Sequence, residues 1–172
     1  MAAMDGYIGL GANLGDRRRN LEIGLEGLDR HGLSPRAVSS IWETEPVGTP
    51  EPRWFWNMAV EVETNRDPLE LLETLLEIER AAGRVRGERN APRTLDLDLL
   101  LIGDLILDDP RLRVPHPAMW NRRFVLEPLA EIAPEVRNPI DGRTVDQTRR
   151  ALTDCPVVRR LGHLASDGTL LI

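Results

Sequence analysis

The sequence of 172 residues predicts an α+β fold: a largely antiparallel sheet covered by helices. Three observations predict it. Segments with period-two alternation interleave with segments whose apolar residues recur at helical spacing. The strand-like segments carry one apolar and one polar face, the mark of antiparallel sheets rather than of parallel sheets buried on both sides. Glycine and proline punctuate short connections, with no internal repeat, low-complexity tract or interior linker, so residues 1–172 are expected to form one domain.

The elements follow in order. Residues 7–11 form a short strand that runs into a turn, Gly11-Ala12-Asn13-Leu14-Gly15-Asp16. A helix over 16–30 places Leu21, Leu25 and Leu28 at i, i+4 and i+7, and Gly32 and Pro35 stop it. A strand over 38–43 precedes a loop over 45–53 that holds Pro46, Gly48, Pro50 and Pro52. Over 55–64, Trp56, Met58, Val60 and Val62 make a core face; Phe55, Asn57, Ala59, Glu61 and Glu63 make a mostly polar one. Asp67-Pro68-Leu69-Glu70 starts a second helix, with Asp67 as N-cap, Pro68 at N1 and Glu70 at the capping-box position; Gly83 follows as its C′ residue. In the strand over 94–102, Leu95, Leu97, Leu99 and Leu101 share one face and Thr94, Asp96, Asp98 and Leu100 the other. An extended stretch over 111–117, a helix over 118–132 interrupted near Pro128, a turn at Asp141-Gly142 and a last helix over 146–153 complete the chain.

Composition excludes several chemistries. All 22 basic residues are arginine, so a P-loop lysine, a Schiff base and a lysine general base are ruled out. Phosphate recognition must use guanidinium groups, backbone N–H groups or metal. Cys155 is the only cysteine, which excludes an internal disulfide and a multi-cysteine zinc site. The net charge of −6 argues against a nucleic-acid partner. The N-terminus lacks the charged and apolar regions of a signal peptide, and the longest apolar run, 99–102, is far too short to span a membrane. The expectation is a cytoplasmic protein with no membrane partner.

The strongest chemical signal is Asp96-Leu97-Asp98. Period two puts both carboxylates on one face with Cα atoms about 6.5 Å apart, where a divalent cation would relieve their repulsion. Magnesium favours one or two carboxylates completed by substrate phosphates. Two unrelated acids on a solvent-facing strand edge are the alternative. Context favours the metal, because Arg80, Arg84, Arg86, Arg89 and Arg93 crowd residues 80–93 against Glu88 alone. Carboxylates for metal and guanidiniums for phosphate oxygens compose a metal–polyphosphate site. Phe55 and Asn57 on one strand face offer stacking and donor–acceptor pairing to a flat heteroaromatic ligand. His116 sits between Pro115 and Pro117 with no second histidine near, which disfavours a histidine metal site. Gly9-Leu10-Gly11 lacks the spacing of a dinucleotide loop and is discounted as one. A nucleotidyltransferase using Asp-X-Asp for metals and a non-catalytic ligand-binding module remain open on these residues. The first would release pyrophosphate, and the second has no need of paired aspartates beside an arginine cluster.

The runs Gly83-Arg84-Val85-Arg86, Pro92-Arg93-Thr94-Leu95-Asp96-Leu97-Asp98 and Val114-Pro115-His116-Pro117 with Asn121-Arg122 resemble 6-hydroxymethyl-7,8-dihydropterin pyrophosphokinase of folate biosynthesis. So do Tyr7-Ile8-Gly9-Leu10-Gly11-Ala12-Asn13-Leu14-Gly15, Glu45-Pro46-Val47-Gly48 and Phe55-Trp56-Asn57; the likeness spans about residues 6 to 137. Asn90-Ala91 and Pro117 depart from the family pattern, where aromatic residues are common. The resemblance implies a ferredoxin-like, three-layer α/β/α fold and transfer of the pyrophosphoryl group of ATP to the pterin hydroxymethyl group. It implies two Mg²⁺ ions on Asp96 and Asp98, and Arg84 and Arg93 as catalytic guanidiniums. It implies ATP contacts from Glu79, Arg86, Arg111, His116 and Arg122. Thr44, Val47, Phe55, Asn57 and Phe124 would bind the pterin. The expected partners are small molecules, ATP and hydroxymethyldihydropterin, and the expected state is a monomer.

Overall fold

In the computed structural model, which describes residues 2–46, 53–83, 94–153, 155–165 and 170–171, β1 (Met4–Ala12) runs antiparallel between β4 (Phe55–Thr64) and β5 (Asp96–Ile102). On the far edge of β4 lie β2 (Pro35–Val38) and β3 (Ile41–Thr44). Beyond β3 come β8 (Val158–Leu164) and β9 (Leu170–Leu171), giving the order β5-β1-β4-β3-β8-β9. The crossovers are α1 (Arg17–Arg30), after β1, and α2 (Pro68–Ala81), between β4 and β5. This is the split β-α-β arrangement of ferredoxin-like folds. A hairpin of β6 (Leu107–Asp109) and β7 (Leu112–Val114) leads to a 3₁₀ turn (Met119–Asn121), then α3 (Arg123–Ile132) and α4 (Val145–Ala151).

Local chemistry sets the helix boundaries. Asp16 caps α1 by accepting from Arg19 N, and Asp67 caps α2 by accepting from Leu69 N at 2.9 Å with Pro68 opening the first turn. Gly83 follows the α2 C-cap with φ +82, a conformation that costs a glycine little. Thr144 and Gln147 form a reciprocal capping box on α4, which therefore starts one residue earlier than the expected 146.

Two cores form on the two sheet faces. Leu21 and Leu28 of α1, with Leu71, Leu75 and Ile78 of α2, pack against Ile8, Leu10, Met58, Val60 and Val62. On the other face Val125, Leu126 and Leu129 of α3 cover Tyr7, Ala59, Leu100 and Leu101. The α1 stripe differs from the expected run of leucines. Its buried positions include Gly24 and Gly27, whose missing side chains let the helix approach its neighbours, while Leu25 is only partly buried.

Tertiary pairing reshapes three expected elements. The strand expected over 38–43 is broken at Ser39-Ser40, because Ser39 Oγ accepts from Ala59 N and donates to Ser40 O, diverting the ladder. On β5 the register shifts opposite the Tyr7–Ile8 step: Ile8 pairs with Leu99 and Tyr7 with Leu101. That bulge turns Leu101 into the α3-side core beside Leu100 and returns Ile102 to the α1/α2 side. The β4 face expected to be mostly polar is covered at Ala59, which is 1% exposed beneath α3.

A Cβ on Gly27 would stand 2.6 Å from Ile78 Cγ2. Gly27→Ala gains about 0.5–1 kcal/mol in helix propensity, but overpacking costs about 1–3 kcal/mol. Thermal unfolding of this variant is expected a few degrees below wild type; an unchanged or raised melting temperature contradicts the close α1–α2 contact.

Candidate functional site

The uncovered part of the α3-side face holds a cavity of about 490 Å³. Its floor comes from three adjacent strands. In antiparallel pairs, residues directly opposite share a face, so Asp96, Gly11 and Asn57 form one row across β5, β1 and β4. Asp98, Gly9 and Ala59 form the next. All six line the cavity. The middle residue of each row is glycine, so no side chain stands between the carboxylates of β5 and the amide of β4. The fit is close at Gly11, where a Cβ would lie 3.0 Å from Asn57 Oδ1.

Two walls rise from this floor. Thr44, opposite Phe55 in the β3–β4 ladder, forms one with Phe55 and Asn57. Asn57 is 8% exposed, and its Nδ2 donates to Thr44 Oγ1 at 3.0 Å, which fixes the direction in which Oδ1 points. The start of α3 supplies the other through Arg122, Arg123 and Phe124, with the Arg122 guanidinium carbon 5.7 Å from the Phe124 ring centroid. Asp96, Asp98, Thr44, Phe55, Asn57, Arg122 and Phe124 therefore meet in one cavity.

Three of the remaining expected site residues, Glu79, His116 and Arg111, lie elsewhere. Glu79 is 3% exposed on α2 and accepts from Leu97 N at 2.7 Å, satisfying a backbone donor on the edge strand β5. His116 donates its backbone N–H to Leu100 O, and its Nδ1 accepts from Ala118 N, so Nε2 carries the proton in the neutral ring. Arg111 projects at the β6–β7 turn, its Nε on Asp109 at 3.3 Å. None of these three lines the cavity. Val47, Arg84, Arg86 and Arg93 lie outside the described residues. Sequence reasoning missed Gly9, Gly11, Glu45 and Asn121, and also Pro156 from the C-terminal segment. The Gly9–Gly11 spacing was a signal, but its meaning depends on the strands to either side.

Among the described residues, no group of three or more His, Cys, Asp or Glu side chains could cage a metal. Asp96 and Asp98 supply at most two protein carboxylates on an open cavity floor. That donor set fits a hard cation such as Mg²⁺, which keeps coordination positions for water and phosphate oxygens.

Behind the β3–β4 wall, on the opposite sheet face, Glu43 is 8% exposed. Its Oε1 accepts from Trp56 Nε1 at 3.2 Å and from Arg17 at 3.4 Å, and its Oε2 accepts from Arg159 Nε at 2.8 Å. Burial alone would raise the Glu43 carboxyl. The hydrogen bonds from Arg159 and Trp56 and the charges of Arg159 and Arg17 outweigh burial and hold it below the usual carboxylate range.

A ferredoxin-like sheet with a small-molecule cavity on the face away from its two crossover helices is the class of protein that this fold and site define. The sequence model of the family 7,8-dihydro-6-hydroxymethylpterin-pyrophosphokinase matches residues 7–134, and the chain belongs to that family. It is 45% identical over 142 residues to the 2-amino-4-hydroxy-6-hydroxymethyldihydropteridine pyrophosphokinase of Bacillus subtilis, covering 82% of this chain and 85% of the relative. With the Pseudomonas aeruginosa protein of the same name it shares 43% over 151 residues, 87% of this chain and 91% of that one. Among solved structures, wild-type Plasmodium falciparum HPPK-DHPS with SDX-DHP superposes with a TM-score of 0.68 at 14% identity, covering 86% of this chain and 44% of that one. The chain thus spans less than half of that structure, and the likeness is one of fold. No helix among the described residues is long and apolar enough to cross a membrane.

Because the folded-state pKa of Glu43 is depressed, its stabilisation is present above the ordinary glutamate value of about 4.3 and is lost as pH falls through the depressed value. Melting temperature against pH should decline more gently below about pH 5 in Glu43→Gln than in wild type. Parallel declines contradict the ion-pair reading.

Proposed function

We propose that the chain transfers the pyrophosphoryl group of ATP to 6-hydroxymethyl-7,8-dihydropterin, yielding AMP and the pterin diphosphate in folate biosynthesis. The observation that carries this reading is the shared cavity: paired carboxylates on β5 face an aromatic and amide wall across a glycine floor. Phe55 and Phe124 supply stacking faces for a flat bicyclic ring, and Asn57 pairs with its polar edge. Thr44 orients that amide.

Asp96 and Asp98 would hold two Mg²⁺ ions. When bound, these supply charge neutralisation on the β- and γ-phosphate oxygens. Arg122 at the cavity and the His116 Nε2–H are donors suited to phosphate oxygens. Arg84 and Arg93 are assigned the catalytic guanidinium roles, with Arg86, Arg111 and Glu79 shaping the ATP side and Val47 offering backbone groups to the pterin; family resemblance supports these assignments. In the transfer, the hydroxymethyl oxygen bonds to the β-phosphorus and gives up its proton to solvent, as the bond from that phosphorus to the bridging oxygen of AMP breaks and AMP departs. Catalysis then rests on positioning and preorganised charge, since the residues assigned here need include no strong general base.

Incubation with ATP, Mg²⁺ and 6-hydroxymethyl-7,8-dihydropterin, followed by mass spectrometry, should show AMP and the pterin diphosphate in equal amounts. Release of free pyrophosphate with a nucleotidylated product overturns the reading. Asp96→Asn and Asp98→Asn should each cut turnover by at least ~10²-fold; full activity in either removes that carboxylate from the metal assignment.

A further inference from the structure

Strand β8 lies beyond the residues that the family's sequence model matches, yet its approach reaches the cavity. Pro156 lines it, and the next residue is tied to the end of β3: Glu45 N donates to Val157 O at 3.0 Å. Val158 then pairs with Thr44, the residue that orients Asn57.

Arg159 follows, and its side chain lies on the face behind the wall. Its Nε and Nη2 both donate to Glu43 Oε2, at 2.8 and 2.5 Å. Its guanidinium carbon sits 4.8 Å from the Trp54 ring centroid. Arg17 mirrors this from α1: it stacks 4.5 Å over Trp56 and donates to Trp54 O at 2.6 Å, with its other contact on Glu43. Alternation does the rest, since residues 54 and 56 are held behind the sheet while Phe55 and Asn57 face the cavity.

We propose that Arg159 is a positioning residue for the pterin wall. By clamping Glu43 and Trp54 from β8, it fixes the strand segment that presents Phe55 and Asn57. This inference rests on the proposed function, because it assigns those two residues to the pterin. Among the described residues, the Arg159 side chain contacts Glu43 and Trp54 at the back of the wall, away from the β5 carboxylates, so its effect falls on one substrate. Its side chain is 62% exposed, so removing it leaves both hydrophobic cores intact.

The test is steady-state kinetics of the full chain, varying each substrate in turn, for wild type, Arg159→Ala and Arg159→Lys. Arg159→Ala should raise the KM for dihydropterin about five- to tenfold while kcat and the KM for ATP stay within about twofold. Arg159→Lys, which keeps a charge on Glu43, should recover most of that loss. The proposal is overturned if Arg159→Ala keeps the wild-type pterin KM, if Lys is as damaging as Ala, or if all three parameters worsen together with the melting temperature. Arg159→Lys keeps the question decidable should the alanine variant fail to fold. A wild-type chain that does not turn over dihydropterin overturns the proposed function and this inference with it. An active wild type with an unaffected Arg159→Ala overturns the inference alone.

Discussion

The central constraint is the absence of side chains at Gly9 and Gly11 in the middle strand of a three-strand ladder. Each stands between a β5 aspartate and a β4 residue in an antiparallel row. Any larger residue there would fill the space between the carboxylates and the amide. At Gly11 even a methyl group would press on Asn57 Oδ1. The two glycines turn what would be a continuous sheet surface into a cavity floor. Strand register then fixes what faces what, because a one-residue slip would send Asp96, Asp98 and Asn57 to the opposite, densely packed face.

The division of labour between the sheet faces follows. On one side α1 and α2 bury leucines, isoleucines and valines against the sheet. On the other α3 covers only part of the surface, and its first turn becomes a wall of the cavity. The back of the opposite wall is held by charge and aromatic contact around Glu43, where Arg17, Trp56 and Arg159 converge from three elements. A buried carboxylate is tolerable there because guanidiniums and an indole N–H satisfy it. The wall that presents Phe55 and Asn57 is therefore braced by side chains that never face the cavity.

Much of this was legible in the sequence because period-two alternation needs no knowledge of neighbours. Asp96 with Asp98 and Phe55 with Asn57 could be placed on shared faces, and the caps at Asp67 and Gly83 follow from local chemistry alone. What stayed hidden depends on contacts distant in sequence. The role of Gly9 and Gly11 exists only once β4 and β5 flank them. The bulge at Leu100 arises from pairing with β1, and the break at Ser39-Ser40 from hydroxyl bonds to β4 and within the turn. The sequence of strand β8 shows no apolar–polar alternation, because Arg159 and Arg160 are adjacent and Gly162 interrupts it, although the two arginines point to different partners, Glu43 and Ser40. The burial of Glu79 under the edge of β5 is likewise a tertiary event.

The most direct measurement compares wild type with Gly11→Ala in dihydropterin binding and in thermal unfolding. If the glycine floor holds the site open, the added methyl displaces the Asn57 amide and weakens dihydropterin binding about tenfold or more. The loss is expected because a recognition group left misaligned loses its hydrogen bonds, while the melting temperature stays near wild type. Undiminished dihydropterin affinity in a folded Gly11→Ala protein would contradict the account.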